Sequence, residues 1–113
     1  MRRGEVWLIN LDPTVGSEIK KTRPAVIVND DAIGILPLRV IVPMTAWQER
    51  YAVAPWMVQL DPDPENGLDK PSAADAFQVR SVSQSRFVRR LGSISAQALQ
   101  DITSALAIVL SIS

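Results

Sequence analysis

The sequence predicts a mostly β domain of the α+β class, a small antiparallel barrel closed by a C-terminal helix. Short apolar segments alternate with turn-forming residues as far as Ile94, as expected for a series of short strands. After Ser95 the hydrophobic residues recur with the period of a helix instead. A chain of 113 residues, 47% of them hydrophobic, is long enough to bury one core. We therefore expect a single domain over residues 1–113.

The expected strands follow one another in chain order. The first covers residues 5–11 and ends at the turn signal Asp12-Pro13. Residues 25–28 and 40–42 are apolar on both faces, which is typical of central strands. Further strands are expected at residues 56–60, 74–82 and 87–94.

Individual residues predict finer features of these elements. Pro43 inside a strand pattern indicates an edge, a bulge or a strand end, because proline cannot donate a hydrogen bond to a sheet. A bulge at this point would re-aim the neighbouring side chain of Thr45. Ser95 is the predicted N-cap of the final helix. The apolar face of that helix consists of Leu99, Ile102, Leu106, Val109 and Leu110.

The composition excludes several kinds of catalytic and metal-binding site. The chain has no His and no Cys, so it lacks the usual neutral-pH base, thiolate zinc sites and disulfides. The one dense acidic stretch, residues 61–75, reads as a turn, and we expect neither a metal site nor a cofactor. No apolar run reaches the ~20 residues that span a bilayer. We expect a cytoplasmic protein without a membrane partner.

The charges balance but are unevenly distributed. There are 12 basic and 12 acidic side chains, which argues against a broad nucleic-acid-binding surface. Acidic side chains concentrate in residues 61–75, and basic ones in residues 76–113. A second basic group consists of Arg2, Arg3, Lys20, Lys21 and Arg23. The pattern is compatible with a small basic groove, and ordinary solvated charge is the alternative.

Two side chains are suited to recognising a phosphate. Arg23 comes just before one buried strand, and Thr45 closes the next. A guanidinium that keeps its proton and a hydroxyl, both held on rigid strands, can hydrogen-bond phosphate oxygens. RNA supplies its own nucleophile, the 2′-OH, so such a pair suffices to stabilise the charge that develops at phosphorus. Taken alone, each residue also fits an ordinary surface or strand position.

Several pieces of the sequence together resemble the MazF/PemK (Kid) toxins. They are residues 3–13 (RGEVWLINLDP), residues 16–24 (GSEIKKTRP), the strand that ends at Thr45, residues 78–80 (QVR) and residues 91–95 (LGSIS). Each piece is weak alone, but their order and spacing are typical of the family. The resemblance implies one MazF/PemK-like toxin domain with a CcdB/PemK-like, SH3-like barrel.

The resemblance also implies an activity. It predicts a sequence-specific, metal-independent endoribonuclease, an mRNA interferase, that cleaves single-stranded RNA and leaves 2′,3′-cyclic phosphate and 5′-OH ends. Arg23 and Thr45 match the family's phosphate-contacting pair. Glu18, the carboxylate nearest in sequence, is the third catalytic candidate. An Arg and an Asp that some members carry just before the segment matching Gln78 are not reproduced here.

The expected RNA groove is walled by two loops, residues 14–22 and residues 46–53. Single-stranded RNA offers base edges and faces to such walls. The candidate RNA-binding residues are Ser17, Lys20, Lys21, Trp47, Gln78 and Arg80. For Gln78 and Arg80, contact with a second subunit is the alternative. Trp47 is a better stacking candidate than Trp56, because it follows Thr45 in a loop.

The partners come from the resemblance alone. It implies a homodimer and a cognate MazE-like antitoxin whose acidic tail fills the groove. Two other readings of the same barrel stay open, a CcdB-like gyrase poison and an inactive binding module. Gyrase poisons use a C-terminal Trp-Gly-Ile, whereas this chain has no Trp after Trp56. The presence of both Arg23 and Thr45 argues against the inactive module.

Overall fold

The computed structural model describes residues 1–113 and contains seven strands and one α-helix. The strands are β1 (Glu5–Asn10), β2 (Thr22–Ile27), β3 (Leu38–Ala46), β4 (Met57–Leu60), β5 (Ser72–Asp75), β6 (Arg80–Ser83) and β7 (Phe87–Ser93), and the helix is α1 (Ala96–Leu110). Short 3-10 turns cover Asp31–Ile33, Glu49–Val53, Ala76–Gln78 and Gln84–Arg86. The predicted mostly β fold with a C-terminal helix is confirmed.

All strand pairs are antiparallel and belong to one sheet. Its order is β4-β5-β3-β2-β1-β7, and β6 pairs with the first part of β3, on the side where β5 pairs with its last part. The ladder does not close into a ring, since β4 and β7 each pair with a single neighbour. The predicted barrel is therefore an open one.

The core lies on both faces of the two central strands, as the sequence predicted. Val26 and Val42 contribute to one hydrophobic cluster, which α1 covers through Ile102. The alternate residues, Ile27 and Ile41, contribute to the second cluster. Because successive side chains of a strand point to opposite faces, this alternation buries the adjoining parts of β2 and β3 on both faces. Residues carried at the ends of these strands are thus held on a rigid support.

The prediction of one strand at residues 74–82 is wrong, because this region consists of β5, a 3-10 turn and β6. The carboxylate of Asp75 accepts a hydrogen bond from the backbone N–H of Phe77, 3.1 Å away, and so caps the turn. A side chain that binds the backbone two residues ahead competes with ladder pairing. Both halves pair with β3, at residues 44–46 and 38–41 respectively.

Pro43 does not mark an edge, a bulge or a strand end, and that prediction is wrong. The residue is buried within the central strand β3 and pairs with Ala25 of β2. On the other side of β3, pairing with β6 ends at Ile41 and pairing with β5 begins at Met44. A residue without an N–H is tolerated in this gap. The register also runs evenly through Thr45, so no bulge re-aims that side chain.

The helix begins where the sequence predicted. The hydroxyl of Ser95 accepts a hydrogen bond from the Ala98 N–H at 3.1 Å, which confirms the N-cap. On the predicted apolar face Ile102 is fully buried, whereas Leu110 at the C-terminal end is exposed. No helix in the structure is long and apolar enough to cross a membrane.

Candidate active site

Arg23 and Thr45 line one cavity of about 440 Å³. Ala25 pairs with Pro43 in the β2–β3 ladder, and Arg23 and Thr45 lie two residues beyond this pair on their strands. Side chains two apart on a strand share a face, so this register brings both to the same face of the sheet. The structure therefore brings together the two residues that the sequence singled out.

Contacts within the protein use only one of the hydrogen-bond donors of the Arg23 guanidinium. Its Nε donates to the carbonyl oxygen of Lys20 at 3.3 Å, and the side chain is half-buried. The two ion pairs in the chain both involve Glu5, so no carboxylate lies within 4.0 Å of Arg23. The terminal N–H groups of Arg23 are thus left for a ligand. An unpaired guanidinium in a cavity favours an anion with two oxygen acceptors.

Two further cations line the same cavity, and the sequence analysis missed both. They are Lys70, which follows the 61–67 turn, and Arg89 of β7. A single carboxylate, that of Asp69, accompanies them. With Arg23 this gives three positive side chains against one negative one, so the cavity attracts anions. The net charge of the whole chain is zero and therefore gives no indication of this local excess.

Glu18 does not share this cavity. It lines a second one, of about 540 Å³, together with Ser17, Gln78 and Arg80. The exposed carboxylate of Glu18 accepts a hydrogen bond from the Val15 N–H at 2.8 Å and so closes a turn within its own loop. The structure does not bring Glu18 together with Arg23 and Thr45. Its catalytic role stays a prediction.

Gln78 and Arg80 hold other parts of the chain in place. Both ends of the Gln78 amide are hydrogen-bonded, since Oε1 accepts from the Ile19 N–H at 2.6 Å and Nε2 donates to the Ser17 carbonyl at 3.2 Å. Arg80 donates from Nη1 to the carbonyl of Leu11 at 3.2 Å. Sequence reasoning missed these bonds, because they join residues 59 to 69 positions apart and only the fold brings them together.

The remaining predicted RNA-binding residues lie outside both cavities. Lys20 and Lys21 are exposed, and Lys21 adopts a left-handed backbone conformation with φ of 71°. Trp47 is half-buried and packs edge-on against Tyr51, with ring centroids 5.8 Å apart. Tyr51 belongs to the 3-10 turn Glu49–Val53, so this part of the predicted groove wall is regular structure.

The structure contains one buried carboxylate near these elements, that of Asp75. Burial raises its pKa above the ordinary value of 3.8, and hydrogen bonds from Phe77 and Gln78 lower it by less. Asp75 lines neither cavity. No three Asp or Glu side chains come close enough together to form a metal-binding group.

Comparison with known proteins shows which family the chain belongs to. Residues 2–110 match the family described as the PemK-like, MazF-like toxin of type II toxin–antitoxin systems. The chain belongs to this family. It is 37% identical over 112 residues to Endoribonuclease MazF9 of Mycobacterium tuberculosis, a match that covers 94% of this chain and 92% of that protein.

Solved structures share the fold. A crystal structure of MazF from Deinococcus radiodurans superposes with a TM-score of 0.82 at 24% identity, covering 99% of this chain and 97% of the other. A MazE–MazF crystal structure from the same organism superposes with a TM-score of 0.75 at 25% identity, covering 100% of this chain and 97% of the matched one. These likenesses agree with the open antiparallel sheet and its C-terminal helix.

Proposed function

We propose that this protein is a sequence-specific, metal-independent endoribonuclease, an mRNA interferase that cleaves single-stranded RNA. The observation that carries the proposal is the cavity that Arg23 and Thr45 share, with an unpaired guanidinium and an excess of positive charge. The 37% identical relative is itself named an endoribonuclease. An anion-binding cavity whose hydroxyl groups have no His to activate them suits a substrate that carries its own nucleophile, as RNA does.

The proposed reaction is an intramolecular displacement at phosphorus. The 2′-oxygen forms a bond to the adjacent phosphorus while the bond to the 5′-oxygen breaks, which gives a 2′,3′-cyclic phosphate and a 5′-OH. Arg23 donates two hydrogen bonds to the non-bridging oxygens, and Thr45 donates a third. These bonds strengthen as negative charge builds up in the transition state. The positive charges of Lys70 and Arg89 add to the potential that holds the strand.

Two protons move in this reaction, one from the 2′-OH and one to the 5′-oxygen. Glu18 is the proposed acceptor of the first. Since Glu18 lies in the neighbouring cavity, its side chain has to leave the Val15 N–H and turn towards the phosphate, while the backbone of the loop stays in place. The acid that protonates the leaving oxygen is not assigned to a side chain.

The proposed RNA path runs from the Arg23 cavity along the 14–22 loop. The exposed ammonium groups of Lys20 and Lys21 are free to contact phosphates, and Ser17 lies in the adjoining cavity. Arg80 and Trp47 are proposed to bound the path on either side. Gln78 contributes to this path by holding the 14–22 loop through its bonds to Ser17 and Ile19.

The proposed partners are an antitoxin and a second copy of the chain, both in the cytoplasm. A similar chain is found in a MazE–MazF structure, which supports a MazE-like antitoxin here. The acidic tail of such a partner would place carboxylates in the basic cavity and exclude RNA. The homodimer is supported by an exposed apolar surface in the connection between β2 and β3, formed by Ile33, Ile35 and Leu36, each more than half exposed.

The test is cleavage of a long single-stranded RNA by the purified protein in excess EDTA. Wild type is expected to cut and to leave 2′,3′-cyclic phosphates, and Arg23→Ala to cut about 10²-fold more slowly or worse, as for the loss of one oxyanion donor. The matched control is Arg90→Ala, because Arg90 is exposed, lines neither cavity and is ion-paired to Glu5 at 3.3 Å. Equal rates for wild type and Arg23→Ala would contradict the site.

A further inference from the structure

We infer that Gln78 is a positioning residue, whose amide clamps the loop of residues 14–22 and, through it, orients Arg23, and that Asp75 fixes that amide. The effect on catalysis rests on the function proposed above. The clamp itself is a property of the fold and is tested separately.

The clamp consists of two hydrogen bonds that bracket Glu18. The Gln78 Oε1 accepts from the Ile19 N–H at 2.6 Å, and its Nε2 donates to the Ser17 carbonyl at 3.2 Å. No other side chain outside the loop hydrogen-bonds to residues 15–19. Apart from the Ile19 side chain, which packs against the second hydrophobic cluster, this stretch is attached to the rest of the fold by one amide.

Asp75 determines which way the amide points. Its Oδ2 accepts from the Gln78 Nε2 at 3.2 Å, while Oδ1 accepts from the Phe77 N–H. A reversed amide would place the Gln78 oxygen against a carboxylate and a carbonyl, and its nitrogen against an N–H. One orientation alone satisfies all three neighbours. Because Asp75 is buried, the loss of this bond leaves its carboxylate short of a hydrogen-bond partner, which is costly.

The clamped loop leads directly to Arg23. Ile19 is followed by Lys20, whose carbonyl oxygen accepts from the Arg23 Nε at 3.3 Å. The Gln78 clamp at Ile19 therefore fixes this acceptor from one side, and the Leu11 N–H, which donates to the Lys21 carbonyl at 2.9 Å, fixes it from the other. When the clamp is removed, the loop and this acceptor gain freedom, and Arg23 spends less time in the orientation that serves the phosphate.

The first experiment measures the loop without RNA. In Gln78→Leu, the Ile19 amide is expected to exchange with solvent about tenfold faster, as for the loss of one or two hydrogen bonds in a locally opening segment. Tryptic cleavage after Lys20 and Lys21 should accelerate in parallel. The control is Gln100→Leu, the same change at an exposed glutamine on α1. Unchanged exchange at Ile19 in Gln78→Leu would overturn the clamp.

The second experiment measures RNA cleavage by the same variants. Gln78→Leu should lower kcat about tenfold with little change in KM, because it disturbs the orientation of Arg23 and no contact with substrate. Gln78→Glu keeps an acceptor for Ile19 but sets a second carboxylate against Asp75 and the Ser17 carbonyl, so it should lower kcat at least as far as Gln78→Leu. A change confined to KM would show that Gln78 touches RNA and would overturn its positioning role.

A double variant tests the order of the contacts. Because Asp75 acts through Gln78, Asp75→Asn combined with Gln78→Leu should match Gln78→Leu alone in kcat and in Ile19 exchange. Additive effects would overturn the link. If wild type does not cleave RNA at all, the proposed function fails, and Ile19 exchange in these variants still decides whether the clamp exists.

Discussion

Arg89 of β7 and Pro24 of β2 pair with the two sides of the same residue, Leu8 of β1. This row of three strands places Arg89 next to the segment that carries Arg23, although the two arginines are far apart in sequence. Both line the basic cavity. The relationship predicts that Arg89 contributes to binding the same anion as Arg23.

Arg89→Ala is expected to weaken RNA binding about tenfold at low salt, since it removes one cation from the cavity. The slope of log affinity against log salt concentration should fall by about 0.7, the value for one phosphate contact on a single strand. The measurement is a filter-binding or anisotropy titration at several salt concentrations, with a slowly cleaved Arg23→Ala background. Arg90→Ala is the control, because Arg90 is ion-paired to Glu5. Equal losses in both variants would point to general charge and not to a site.

The sequence predicted the part of the site that depends on neighbouring elements. Arg23 and Thr45 flank consecutive buried strands, and consecutive antiparallel strands pair with each other in most sheets, so their meeting follows from local pattern. Arg89 and Lys70 reach the cavity through the register of β7 and the path of the 61–67 turn. Neither register nor path leaves a periodic signal in the sequence.

The break at residues 76–78 escaped prediction for a different reason. Phe77 and Val79 alternate with polar neighbours, as in a half-buried strand, and that pattern favoured one continuous element. The bond from the Phe77 N–H to the Asp75 carboxylate decides the local conformation instead. The same carboxylate orients Gln78, so the missed turn and the missed clamp have one origin.

Thr45→Val is expected to lower kcat for RNA cleavage about 10²-fold while leaving the fold intact. Valine matches threonine in shape, and the half-buried position of Thr45 tolerates a methyl group, so the lost hydroxyl is the main change. Thr45→Ser restores the hydroxyl and should recover most of the rate. Single-turnover cleavage rates and thermal unfolding of all three proteins decide the point. A Thr45→Val enzyme as fast as wild type would remove Thr45 from the catalytic pair.

The shifted pKa of the Glu5 carboxyl should make the stability of the fold depend on pH. Burial raises the pKa of its carboxyl, but hydrogen bonds from the Trp7 indole and the Arg2 N–H, with the nearby N-terminal and Arg90 charges, lower it below the ordinary 4.5. The folded state therefore binds fewer protons than the unfolded state in this range. The stabilisation by Glu5 is complete above pH 4.5 and is lost as the pH falls through the lower, folded-state pKa.

The measurement compares wild type with Glu5→Gln in urea unfolding at several pH values. Their difference in free energy of unfolding should be largest near neutral pH and should shrink on acidification below pH 4.5. A difference that stays constant across this range would show that the Glu5 carboxylate keeps the same pKa in the folded and unfolded chains.

Gly67→Ala is expected to destabilise the fold by at least about 3 kcal/mol and to distort the cavity that Gly67 lines. Gly67 has φ of 69°, and a Cβ there would lie 2.2 Å from the Leu91 carbonyl oxygen, so the 61–67 turn would have to move off β7. Gly16→Ala is the matched control, because Gly16 has φ of 60° with no atom within 4 Å of its would-be Cβ. It should cost only the backbone strain, about 1 kcal/mol. Thermal unfolding of both variants separates the two effects, and equal losses would show that the close approach to β7 contributes nothing.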